Sequence, residues 1–145
     1  MSLEKVLSNL EKALSDAVID LPVNPQTPDG ISIRDSVYFD RSETTDAKWK
    51  SLAAEHLKAA MKFEIHCWNE EAEWIQLAMQ YGELKQTDWQ HGKVIVGMVT
   101  PTFAKMLLEL PKPNDTDVYN KMTPFFNVFL DDHFDSSHYG TEVYL

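Results

Sequence analysis

The sequence predicts an α+β fold, a single domain over residues 1–145 with one mixed β-sheet of about five strands. Three to four helices are expected to pack mainly on one face of that sheet, and a β-hairpin to close the chain. Three observations carry the expectation. Strand-like and helix-like patterns alternate through the middle of the chain, and the chain closes on two strand-like runs. The helical segments are also striped, so each needs a partner surface on which to bury its apolar side. With 43% hydrophobic and 25% charged residues, the composition is that of a folded globule.

Taken in order, Leu3, Val6, Leu7, Leu10, Leu14, Ala17 and Val18 recur at helical spacing, predicting an amphipathic helix over 1–20. The run "DLPVNPQTPDG" holds three prolines and a glycine and cannot continue it. Residues 21–30 therefore read as a proline-rich linker from which the first helix hangs as an appendage. In "ISIRDSVYFD", Ile31, Ile33, Val37 and Phe39 alternate with polar residues, the pattern of a half-buried strand. "TTDAKWKSLAAEHLKAA" places Trp49, Leu52, Ala53, His56, Leu57 and Ala60 on one helical stripe. "MKFEIHCWN" returns to strand alternation, and "NEEAEWIQLAMQYG" reads as a helix capped by Asn69 and ended by Gly82.

The strand "KVIVGMV" is apolar on both faces, which places it inside the sheet. "TPTFAKMLLEL" supplies a threonine cap, a proline in the first turn and the stripe Phe103, Met106, Leu107, Leu110. Finally "FFNVFLDD" and "HYGTEVYL" read as two strands joined by a short loop.

Charge narrows the function classes. The net charge is −10, with 23 acids against 13 bases. Of the bases only Arg34 and Arg41 are arginines, the residue best suited to bidentate phosphate recognition. A binder of nucleic acid or of an anionic membrane would work against its own field, so neither partner is expected. One cysteine forms neither an internal disulfide nor a thiolate metal site. The start lacks the apolar run of a signal peptide, and no window approaches the roughly 20 apolar residues of a membrane span. The expected location is cytoplasmic. No glycine-rich turn follows a strand, so no nucleotide cofactor is expected.

His66 beside Cys67 invites a nucleophile–base reading, but strand alternation separates them. Met61, Phe63, Ile65 and Cys67 share one side; Lys62, Glu64, His66 and Trp68 share the other. The apolar set faces the core, making Cys67 a buried structural thiol. Glu64, His66 and Trp68 then form a candidate ligand cleft if their side of the sheet is open, the basis of a small-molecule-binding or enzymatic reading.

The second candidate is "LDDHFDSSHYGTE". Asp131, His133, Asp135 and Glu142 stand at calcium-loop offsets, but Ser136 occupies the place of the required glycine. His133 and His138 with Asp131 or Asp135 offer the ligand types of a transition-metal site instead, but their spacing matches no metal motif, and no metal site is assigned. Residues 109–145 carry seven acids and two bases, which is half of the net charge in the last quarter of the chain. As a hairpin loop, Asp131, Asp132, His133, Phe134 and Asp135 would set an exposed ring within an acidic rim, an anchor for a basic protein. The leading expectation is thus a non-catalytic protein-interaction module. Small bacterial immunity and antitoxin proteins are its analogues in composition only.

Overall fold

The computed structural model describes residues 35–114 and 119–145. The predicted helix over 1–20 and linker over 21–30 lie outside these residues. Seven strands form one sheet: β1 (Ser36–Tyr38), β2 (Lys62–Trp68), β3 (Glu83–Lys85), β4 (Gly92–Met98), β5 (Asn127–Leu130), β6 (Phe134–Ser137) and β7 (Glu142–Tyr144). Three helices are described: α1 (Ala47–Leu57), α2 (Ala72–Met79) and α3 (Pro101–Glu109). The strand order is β1-β7-β6-β5-β2-β4-β3.

Two features of the predicted sheet are corrected. It is antiparallel at every pairing rather than mixed. The helices between strands do not act as parallel crossovers: β2 pairs antiparallel with β4 on one side and with β5 on the other. Among the described residues it also has seven strands, not about five. The two additions are β3, three residues long and exposed throughout, and β6, whose sequence FDSS is mostly polar. Neither is long or apolar enough to register as alternation. With β6 in place, the C-terminal hairpin becomes the meander β5-β6-β7.

The register fixes two faces. Ile65 lies opposite Ile95 and Val128, and Ser136 lies opposite Val128 and Val143. This row shares one core with Trp49 and Leu52 of α1, Ala78 of α2, and Phe103 and Leu107 of α3. The three helices therefore cover the face of Phe63, Ile65 and Cys67, as their stripes predict. Phe63 stacks on Phe103 with ring centroids 4.0 Å apart. Trp49 Nε1 donates to Ser136 Oγ at 3.0 Å, so the serine buried in this row is satisfied.

Local signals account for the helix ends. Thr100 Oγ1 accepts from Phe103 N at 3.1 Å and Pro101 opens α3, as its sequence indicates. The expected Asn69 cap of α2 is corrected. Glu71 stands at that position, without a capping side-chain bond. Asn69 instead ties to the β3–β4 loop: its backbone N–H donates to His91 O and its side chain to Gln90 O. Among the described residues, no helix is long and apolar enough to cross a membrane.

Candidate functional site

On the other face of the sheet, alternation along β2 turns out Glu64, His66 and Trp68, all half-buried. Register sets Val96 and Phe129 beside Glu64, and Val94 and Asn127 beside His66. Among the described residues none of the three helices packs here, and two grooves indent the surface. The narrower, about 490 Å³, is lined by Glu64, His66, Trp68, Lys85, Trp89, Phe126 and Asn127, among others. The wider, about 1130 Å³, runs from Glu64 past Glu83, Val96, Met98 and Phe129 to Asp131, Asp132, His133 and Asp135. The two residue sets that the sequence singles out thus border one surface, and Glu64 belongs to both grooves.

At the narrow end the polar floor is one connected chain. His66 Nε2 lies 2.8 Å from Glu64 Oε2, and Asn127 Nδ2 lies 3.1 Å from His66 Nδ1. The backbone N–H of His138 approaches Asn127 Oδ1 at 3.4 Å, which orients the amide with its NH₂ toward the imidazole. Nδ1 therefore accepts and Nε2–H donates to the carboxylate, so one tautomer satisfies both ring nitrogens. Lys85 Nζ reaches the other carboxylate oxygen, Oε1, at 3.3 Å. Partial burial pushes the Glu64 carboxyl up, but the hydrogen bonds from His66 and Lys85, with the Lys85 charge, outweigh it and hold the pKa below its usual 4.5.

This pairing sets a pH dependence. Because the folded-state value is lowered, Glu64 stabilises the fold above its unfolded value, and that contribution is lost as pH falls through the folded one. Glu64→Gln is expected to narrow the stability difference between about pH 6 and about pH 3, read as urea midpoints across that range. An unchanged difference would mean that Glu64 is unpaired in solution.

Aromatic rings wall the polar floor. Trp89 meets Trp68 edge-on with centroids 5.2 Å apart, and Trp68 meets Phe126 at 5.0 Å. His66 lies between Trp89, at 5.9 Å, and Phe129, at 5.0 Å. Trp89 comes from the β3–β4 loop and packs down on Gly92, where a Cβ would collide with the indole and with Cys67 O. Glycine is needed there for that close approach. The rings and His66 also explain why Val94, on this open face, is only 5% exposed, and hence why β4 reads as apolar on both sides.

Behind this wall, Glu71 accepts from Trp68 N at 2.9 Å and from the Tyr139 hydroxyl at 3.0 Å. Burial, then the Glu71 charge, raises the Tyr139 pKa. His138, Tyr139 and Gly140 turn from β6 into β7 with φ of 52°, 60° and 84°. For a tyrosine this is a costly conformation, held here by the hydroxyl bond and by packing against Phe126 at 5.2 Å.

The acidic end departs from expectation. Phe134 is 0% exposed and touches Trp49 and His56 on the core side. It is no exposed anchor, because it begins β6 and points inward opposite Leu130. Asp131 is also committed: its carboxylate accepts from Met61 N at 3.0 Å and Lys62 N at 2.9 Å. Those bonds lower its pKa, and its φ of 49° makes the tight β5–β6 turn. Asp132 and His133 are exposed and Asp135 is half-buried, and all three line the wide groove beside Asp131. His133 and His138 flank β6 at opposite ends and do not converge. Among the described residues no group of three or more histidines, cysteines, aspartates or glutamates could hold a metal ion.

No protein-family model, curated protein or solved structure matches this chain.

Sequence reasoning missed Lys85, Trp89, Phe126, Asn127 and Phe129. Asn127 and Phe129 were within reach, because Val128 and Leu130 point inward and alternation turns their neighbours out. What sequence lacks is the register that sets Asn127 beside His66.

Proposed function

We propose that this protein is a non-catalytic binding protein whose ligand rests on the open sheet face, with a flat apolar group against Trp68, Trp89 and Phe126. One observation carries the reading: large aromatic side chains remain half-buried on a face that no described helix covers, around a polar floor whose members are already paired. Concave, mostly apolar surfaces with a few fixed polar groups are the usual form of ligand sites. His66 has both nitrogens engaged, which favours a positioning role over proton transfer, since a general base needs a nitrogen open to the substrate. The reading keeps the non-catalytic character expected from the sequence but moves the site from the C-terminal loop to the sheet face.

Indole and its charged relatives, tryptamine and indole-3-acetate, are suitable probes, with the tryptophan indole N–H signals in a nitrogen–proton NMR spectrum as the readout. The signals of Trp68 and Trp89 are expected to shift, and that of Trp49, which is 1% exposed in the core, to stay. Trp89→Ala is expected to weaken binding by about tenfold or more, as loss of a central aromatic anchor does. If none of the three probes moves the Trp68 and Trp89 signals at millimolar concentration, the open face is not a ligand site.

A further inference from the structure

Resting on that reading, we infer that the natural occupant of the open face is a basic polypeptide segment of a partner protein, one of whose lysine or arginine side chains takes the place of Lys85 on Glu64. Size argues for a polypeptide. The wide groove, about 1130 Å³, exceeds the roughly 300–1,000 Å³ usual for small ligands. It also continues through Glu64 into the aromatic end, so its natural filler is an extended chain crossing several strands.

Charge argues for a basic one. Glu64, Glu83, Asp131, Asp132 and Asp135 line the wide groove, against Lys62 as the one lysine or arginine among its lining residues. The chain as a whole carries −10. An acidic ligand would meet like charge along the wide groove, whereas a basic one is steered in.

Glu64 is the receptor for the cation. His66 holds its Oε2, leaving Oε1 to Lys85, whose side chain is 54% exposed and 3.3 Å away. Lys85 belongs to the three-residue edge strand β3, and an exposed pair of this kind contributes little. An incoming guanidinium can displace it and add a second hydrogen bond. Between the charges lie Met61 and Met98, which are 64% and 52% exposed. Flexible thioethers on a binding surface accommodate varied apolar side chains, and the rings at the narrow end accept an apolar or aromatic neighbour of the bound cation.

The test uses a fluorescein-labelled peptide of alternating arginine and leucine, the same peptide with glutamate for arginine, and spermidine, with binding followed by anisotropy. The arginine peptide is expected to bind with an affinity that falls as salt rises, and the glutamate peptide not to bind. Glu64→Gln should weaken the arginine peptide about tenfold, and Asp132→Asn a few-fold with a shallower salt dependence. Lys85→Ala should tighten binding several-fold, because it removes the resident competitor. That variant touches no core residue and decides the question even if Glu64→Gln is poorly folded.

Weakening by Lys85→Ala, or equal binding of the glutamate peptide, would overturn the inference. Full competition by spermidine at matching affinity would make the occupant a small amine instead. If the arginine peptide fails while indole probes still shift Trp68 and Trp89, the cationic partner falls and the ligand face stands. If both fail, both fall.

Discussion

Phe134→Ala is expected to lower the free energy of unfolding by about 3–5 kcal/mol, the usual cost of removing a buried phenylalanine ring. The ring is 0% exposed, lies 6.2 Å from Trp49 and 5.4 Å from His56 between centroids, and sits opposite Leu130 at the first pairing of β6. Its removal leaves a cavity between α1 and the sheet, beside the place where Trp49 Nε1 donates to Ser136. Asp132→Asn, two residues earlier and exposed, is expected to change stability by less than about 0.5 kcal/mol. Urea denaturation of the two variants checks the contrast. Were Phe134→Ala as stable as the unaltered protein, the ring would be on the surface, and the loop-borne anchor suggested by the sequence would return.

Phe134 also marks where sequence reading stops. Within "LDDHFDSSHYGTE" polar residues outnumber apolar ones, so the run looks like a loop. Yet Phe134 and Ser136 point into the core while Asp135 and Ser137 point away, and the strand exists because β5 and β7 supply hydrogen bonds on both sides. Partners distant in sequence supply that stabilisation, and local pattern does not contain it. The same holds for β3, whose residues are all exposed and which is a strand only by pairing with β4. In the described helices that carry an apolar stripe, the reading from sequence holds: Trp49, Leu52, Ala53 and Leu57 of α1 are buried, as are Phe103, Met106 and Leu107 of α3.

The candidate site divides along the same line. That Glu64, His66 and Trp68 share a face follows from alternation alone. That the face is left open by the described helices, and that Asn127, Lys85 and Trp89 join it, depends on register and on how one loop folds back. Asp131 shows the opposite limit. An acid in a turn resembles a free surface charge, but here it bonds the two backbone N–H groups that open β2. Removing its charge is therefore expected to loosen the fold as well as alter the surface.

Cys67 provides the strictest check on the two-faced sheet. It lies on β2 between His66 and Trp68, is 0% exposed, and its thiol is pushed up to about 12, first by burial and then by the charge of Glu71. Only the thiolate attacks a disulfide reagent. Relative to a thiol at the usual 9.0, the reactive fraction at neutral pH falls by about a thousandfold. The reagent is also excluded until the core opens. Native protein is therefore expected to react with an aromatic disulfide reagent at least about three orders of magnitude more slowly than urea-unfolded protein. Its rate should rise with denaturant in step with global unfolding. Cys67→Ser should cost about 1–3 kcal/mol by placing a hydroxyl in the core without a partner. Ligand binding at Trp68 and Trp89 should be retained in that variant, because the thiol faces away from them. Rapid stoichiometric labelling of the folded protein would carry a specific meaning. A one-residue slip of β2 exchanges the two faces of a strand, so an accessible Cys67 would imply a buried His66, and the polar floor, the grooves and the ligand face would all be lost together.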